Sequence, residues 1–208
     1  MAKIDPWQVI HAERAALAED LSALTPEQWA TPTLCPAWDV HHLLGHLVSS
    51  ARLTPPTFFA GLAGSRFRFH EMTAKNAAAE AAGAPAATLA EFRRLGTATS
   101  KPPGPVLAMV GENVVHSEDI RRPLGLSRAY PTDALVATAD FYRRSNLLIG
   151  GKKRTAGLTL RAEDADWVAG SGPEVTGPML SLTLAVAGRA GGLEGLAGEG
   201  LPVLSSRL

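Results

Sequence analysis

Apolar residues recur at helical spacing through most of the first 150 residues, and this periodicity limits the chain to a mainly helical fold. Helix starts are marked by Asp5-Pro6, by Asp39, by Thr132, and by capping-box patterns at Thr25–Gln28 and Thr88–Glu91. The predicted long helices cover residues 6–24, Val40 to before Pro55, 71–82, Thr88 to about 99, the stretch between Pro105 and Pro123, and 133–149.

The pattern changes at Gly150. Leu158 and Leu160 alternate with polar neighbours, which predicts a half-buried strand. We expect a second strand at 166–169, a helix over 178–189 and a final short strand at 201–204. The sequence therefore predicts a mainly helical region over residues 1–150, followed by a small α/β segment over 151–208.

Composition excludes several classes of protein. The 208 residues include 20 basic and 20 acidic side chains, so neither a broad nucleic-acid interface nor a polybasic membrane anchor is expected. No apolar run approaches the roughly 20 residues of a membrane-spanning helix, and the first residues lack the apolar run of a signal peptide. Cys35 is the only cysteine, so no internal disulfide can form. We expect a soluble protein of the reducing cytoplasm, and a homodimer is compatible with these features.

The stretch most suited to chemistry is Gly111–Gly125. Glu112 and His116 are four residues apart, so on a helix both side chains project from one face, one turn apart. A carboxylate and an imidazole placed this way can hold one divalent metal ion. The alternative is a surface carboxylate beside an ordinary helical histidine.

A metal site needs a third ligand, and the second long helix offers two histidines for it. His42 and His46 lie one turn apart on the same face, and the spacing does not choose between them. Two imidazoles and one carboxylate leave a fourth position open for water or another ligand. These donor types favour zinc, and nickel or iron also suit imidazole.

Two sets of motifs together resemble a known family. The first set is Trp29, Thr33-Leu-Cys-Pro-Ala-Trp-Asp-Val40 and Leu44-Gly-His-Leu47, and the second is Glu112-x-x-x-His116 with Asp119-Ile-Arg-Arg-Pro-Leu-Gly125. Their combination resembles the mycothiol-dependent maleylpyruvate isomerase family, which belongs to the DinB-like metal-binding helical bundles. The tail from Leu160 to Trp167, with Gly172-Pro-Glu-Val175 and Gly177-Pro178, looks like the small α/β segment of those proteins.

The resemblance implies that residues 1–150 form an antiparallel, DinB-like four-helix bundle. Its zinc ligands would be His46, Glu112 and His116, so the resemblance selects His46 over His42. It also implies mycothiol, a low-molecular-weight thiol, as cosubstrate. The expected activity is isomerisation, or thiol transfer to a small electrophilic substrate, by a metal-dependent enzyme. The alternatives are a detoxifying thiol S-transferase and a non-catalytic metal-binding or ligand-sensing protein. No catalytic residue beyond the ligands is indicated.

Arg121 and Arg122 end the predicted metal helix. One interpretation is that the two guanidinium groups clamp a carboxylate of the thiol or substrate. The other is structural, because cations at a helix C-terminus complement its dipole and pair with Glu118 or Asp119.

Overall fold

The computed structural model describes residues 4–147 and 149–208, and it is mainly helical. The first helices are α1 (Pro6–Asp20), α2 (Pro26–Trp29), α3 (Val40–Arg52), α4 (Pro55–Gly64), α5 (Phe69–Glu80), α6 (Pro85–Arg94) and α7 (Val106–Arg121). The remaining elements are α8 (Thr132–Tyr142), α9 (Gly151–Arg154), β1 (Thr159–Ala162), β2 (Val168–Gly170), β3 (Glu174–Gly177), α10 (Met179–Val186) and α11 (Leu201–Ser205). The predicted mainly α fold with a small α/β extension is confirmed.

Contacts divide the chain into two compact units, Asp5–Ser127 and a second that contains Arg128–Leu208. In the first unit, α1 packs on α6 and α7, and α3 packs on the same two helices, so the four close into a bundle. Helix α5 packs on α3 from outside this ring. The predicted helix at 133–149 ends at Tyr142 as α8, which packs on α10 in the second unit. Leu148 lies outside the described residues, and the domain boundary at residue 150 stays a prediction.

The bundle core is formed by the apolar stripes that the periodicity predicts. Its members are Leu17, Ala18, Leu21, Trp29, Val40, Leu43, Leu44, Leu47, Val48, Ala51, Leu89, Phe92, Leu95 and Ile120. Burial of each large aliphatic side chain stabilises the fold by about 1.5–3 kcal/mol. No helix in the described part of the chain is long and apolar enough to cross a bilayer.

Helix starts follow the predicted signals in three places and depart from them in two others. Asp5 caps α1 by accepting a hydrogen bond from the Trp7 backbone N–H. Asp39 accepts a hydrogen bond from the His42 backbone N–H and so caps α3, and Thr25 and Gln28 form the predicted capping box. The capping box at Thr88 is wrong, because α6 already begins at Pro85 and Thr88 lies within it. In α6, Pro85 occupies the first helical position and no side chain caps the helix. In α8, Pro131 occupies the N-cap position, and the predicted cap Thr132 is the first helical residue.

The second unit places a three-stranded sheet beside α10. Strand β1 is central, antiparallel to β2 and parallel to β3, with Leu160 opposite both Ala169 and Val175. The sequence did not indicate β3, which is four residues long. The predicted strand at 201–204 is wrong: these residues lie in α11, where Pro202 occupies the first turn. Proline lacks the N–H that a strand would donate, and it suits a helix start.

Gly45 lets α3 and α5 approach closely. A Cβ atom added there would lie 2.6 Å from the Ala77 carbonyl oxygen, which belongs to a helix backbone. Alanine normally favours a helix by up to about 1 kcal/mol over glycine, whereas overpacking a core costs about 1–3 kcal/mol. We therefore expect Gly45→Ala to lower the free energy of unfolding in urea titrations. The control Gly64→Ala, where nothing lies within 4 Å, should leave stability unchanged or raise it.

Candidate metal centre

Two helices supply the three predicted ligands. Helix α7 runs from Val106 to Arg121, between Pro105 and Pro123, and carries Glu112 and His116 one turn apart. Helix α3, which starts at the Asp39 cap, carries His46 in its second turn. Because α3 packs directly on α7, side chains about 65 residues apart in the chain come together inside the bundle.

The three side chains form one compact group. The His46 Nε2 atom lies 3.2 Å from Glu112 Oε1, and the centres of the His46 and His116 rings are 5.0 Å apart with an 84° angle between them. The side chains of His46, Glu112 and His116 are 12%, 19% and 15% exposed. They are therefore shielded from bulk water without being sealed from it.

Glu112 is held as a carboxylate. Burial alone would raise its pKa, but the hydrogen bond and charge of His46, the charge of His116 and a hydrogen bond from Ser50 outweigh burial and lower the pKa to about 2. The Ser50 hydroxyl donates to Glu112 Oε1. Ser50 was not predicted as part of the site, although it lies one helical turn beyond His46 on the same face.

His116 is oriented by a buried aspartate. Its Nδ1 lies 3.0 Å from Asp119 Oδ2, and Asp119 is fully buried. If Nδ1 carries the proton, Nε2 keeps a free lone pair, which is the arrangement found around histidine metal ligands. Burial lowers the pKa of His116 more than Asp119 raises it, so the neutral ring is favoured. Asp119 was also missed, and its signal was the three-residue spacing from His116.

The loop between α2 and α3 contacts the surroundings of both histidines. The Trp38 ring stacks on His46, with ring centres 4.9 Å apart and planes 27° from parallel. The Leu34 backbone N–H donates to the Asp119 carbonyl oxygen at 3.0 Å. Within the loop, the Thr33 hydroxyl donates to the Trp38 carbonyl oxygen at 2.8 Å. The loop thus links the residue that stacks on His46 to the residue that orients His116.

The other two histidines of α3 face different partners. His42 is 45% exposed, and its Nδ1 lies 2.8 Å from the Asp39 carboxylate. His41 Nε2 lies 2.9 Å from the Thr88 hydroxyl. The structure therefore brings His46, and not His42, next to Glu112.

Both arginines of the predicted carboxylate clamp are engaged in ion pairs. Arg121 is fully buried, and its guanidinium donates to Glu13 and, at 2.7 Å, to Asp20. Arg122 Nε lies 3.0 Å from Glu118 Oε2. Arg122 thus pairs with Glu118, as the structural interpretation predicts. Arg121 instead binds Glu13 and Asp20 of α1, which the sequence did not indicate. The carboxylate clamp stays a prediction.

The donor types suit a divalent ion, but the three side chains do not have the geometry of a metal-coordination site. Among the residues that the structure describes, no group of three or more His, Cys, Asp and Glu side chains is positioned to hold a metal ion. Instead, His46 Nε2 contacts the Glu112 carboxylate directly. A carboxylate and two imidazoles are donor types that suit zinc.

Comparison with known proteins identifies the N-terminal part of the chain. Residues 10–103 match the sequence model of the mycothiol maleylpyruvate isomerase N-terminal domain. This segment is therefore similar to the N-terminal domain of that family. The matched segment contains His46 and ends before α7, so Glu112 and His116 lie beyond it.

The likeness in fold extends over nearly the whole chain. Crystal structures of the mycothiol-dependent maleylpyruvate isomerase and of a mutant of it superpose with a TM-score of 0.67, covering 93% of this chain and 91% of theirs. Sequence identity is 16% in both cases, so the likeness shows the shared fold alone. No curated protein sequence matches the chain.

Proposed function

We propose that this chain is a metal-dependent cytoplasmic enzyme that uses mycothiol or a related small thiol to isomerise, or to add the thiol to, a small electrophilic substrate. The observation that carries the proposal is the grouping of His46, Glu112 and His116 inside a bundle similar to that of the maleylpyruvate isomerase family. The similarity to that family supports the thiol, and the donor set supports the metal.

The proposed metal is zinc, with nickel or iron as alternatives of similar ligand preference. His46 Nε2, a Glu112 carboxylate oxygen and His116 Nε2 would hold it, which leaves a position open. A bound zinc ion would lower the pKa of the thiol, so that the nucleophilic thiolate is available at neutral pH.

The chain's own residues prepare the donors for this role. Asp119 fixes which nitrogen of His116 is free, Ser50 holds Glu112, and Trp38 fixes the plane of the His46 ring. Partial burial of the three donors limits competing water, which strengthens their electrostatic effect.

In the proposed isomerisation, the thiolate sulfur bonds to one carbon of a conjugated cis double bond, and the π electrons move onto the neighbouring carbonyl group. The carbon–carbon bond is then single and rotates. Return of the electrons expels the thiolate and leaves the trans double bond, so the thiol is regenerated. In the transfer reaction, the adduct is instead protonated and released.

Two assays on the purified chain test this proposal: isomerisation of maleylpyruvate with mycothiol, and conjugation of mycothiol with a generic electrophile. We expect the wild type to be active in at least one of the two assays. That activity should disappear in His46→Ala and survive in His42→Ala. Binding of metal without any binding of thiol, measured by calorimetry, would instead favour a non-catalytic metal-binding protein.

Two aspartate–histidine pairs of the same spacing allow a matched test of ligand orientation. Asp119→Asn, which alters the contact to His116, is expected to weaken zinc affinity about 10–100-fold. Asp39→Asn, which alters the contact to His42, should leave zinc affinity unchanged, and asparagine still caps α3. Competition titrations with a chromogenic chelator measure both affinities. Equal effects of the two substitutions would contradict the assignment of His116.

A further inference from the structure

A second feature of the bundle has no role in the candidate metal centre. A cavity of about 240 Å³ lies between the end of α3, the start of α4 and the end of α5. Its polar lining residues are Ser49, Arg52, Thr57, Asn76 and Glu80. Since a water molecule occupies about 30 Å³ of liquid, the space suits a small organic molecule.

Two of these polar groups have unused hydrogen-bonding capacity. Ser49 is only 8% exposed, and its hydroxyl makes no hydrogen bond to the described residues. The Asn76 side-chain amide likewise has no partner in the described part of the chain. Asn76 is half-buried, and a ligand that both donates and accepts hydrogen bonds could contact both groups.

The charged groups of the lining already compensate one another. The Arg52 guanidinium lies 2.5 Å from Glu91 and 3.5 Å from Glu80. Glu91 is also bound by Arg94 at 2.6 Å, and hydrogen bonds from Arg94 and Arg52 lower its pKa to about 2. A charged ligand would have to break one of these ion pairs, whereas a neutral one would leave them intact.

We propose that this cavity binds an uncharged, polyhydroxylated molecule of sugar size. A hydroxyl group both donates and accepts, which matches a lining where Arg52 donates, Glu80 accepts, and Ser49 and Asn76 do both. The apolar Leu53 and Ala79 complete the lining and suit the C–H face of such a molecule.

The cavity is distinct from the candidate metal centre, because it lies where α3 meets α4 and α5, while the metal centre lies where α3 meets α7. Binding in the cavity therefore does not depend on the metal or on the proposed enzyme activity.

The test uses the full-length chain labelled with ¹⁵N, titrated with methyl α-D-glucopyranoside, sodium acetate or methylammonium chloride. We expect only the sugar to give saturable NMR shifts, centred on the Asn76 side-chain amide and the Ser49 backbone. Asn76→Ala and Ser49→Ala should each weaken binding about tenfold. Lys75→Ala, which changes the exposed neighbour of Asn76, is the control and should bind normally.

Three results would overturn this proposal. The first is the absence of a saturable shift with the sugar, and the second is sugar affinity in Asn76→Ala and Ser49→Ala equal to that of the wild type. The third is saturation by acetate or methylammonium at lower concentration than the sugar. Circular dichroism of each variant confirms that a loss of binding does not arise from unfolding.

Discussion

Arg121→Met is expected to lower the free energy of unfolding by about 3–5 kcal/mol, as breaking a buried ion pair typically does. The Arg121 guanidinium is fully buried and binds Glu13, which is only 3% exposed, as well as Asp20. Methionine fills similar space but leaves the buried Glu13 carboxylate without the guanidinium. Urea unfolding followed by circular dichroism measures the change.

The matched control is Arg68→Met, which removes an exposed pair with Glu71 whose atoms are 2.7 Å apart. Exposed pairs contribute about 1 kcal/mol or less, so this variant should unfold nearly as the wild type does. If Arg121→Met kept its stability but lost thiol binding, the structural interpretation would be contradicted. That result would instead favour the prediction that Arg121 binds a carboxylate of the thiol or substrate.

Glu112→Gln is expected to weaken zinc affinity by more than about a hundredfold, which is beyond the usual effect of altering an outer-shell partner. Glutamine keeps the shape of the side chain and can still contact Ser50 and His46, so the fold should survive. It removes the negative charge and the strongest oxygen donor of the group.

Chelator competition measures the affinity, and a thermal melt without zinc confirms that the variant is folded. Glu71→Gln, which neutralises an exposed carboxylate, serves as the charge-matched control and should bind zinc as the wild type does. Equal affinities of Glu112→Gln and Glu71→Gln would remove Glu112 from the site.

The helical part of the fold could be predicted because its signals are local. Asp39 and the Thr25–Gln28 pair cap helices through contacts within one turn. The errors at Thr88 and at residues 201–204 also have local causes, since proline started a helix where a capping pattern or an apolar run suggested otherwise. The short strand β3 depends on its pairing with β1, which no local pattern records.

The candidate centre was predictable only in part. The spacing of Glu112 and His116 indicates a shared helix face, but the choice of His46 over His42 came from the family resemblance. The groups that orient the ligands escaped notice for two reasons. Ser50 and Asp119 are common polar residues, and the stacking of Trp38 on His46 depends on how a loop folds back.

The most direct measurement is the metal content of the purified chain, determined by mass spectrometry after expression with added zinc. The wild type and His42→Ala are expected to hold about one zinc ion per chain, and His46→Ala close to none. Wild-type protein without stoichiometric metal, or His46→Ala protein that retains it, would contradict the assignment of this site.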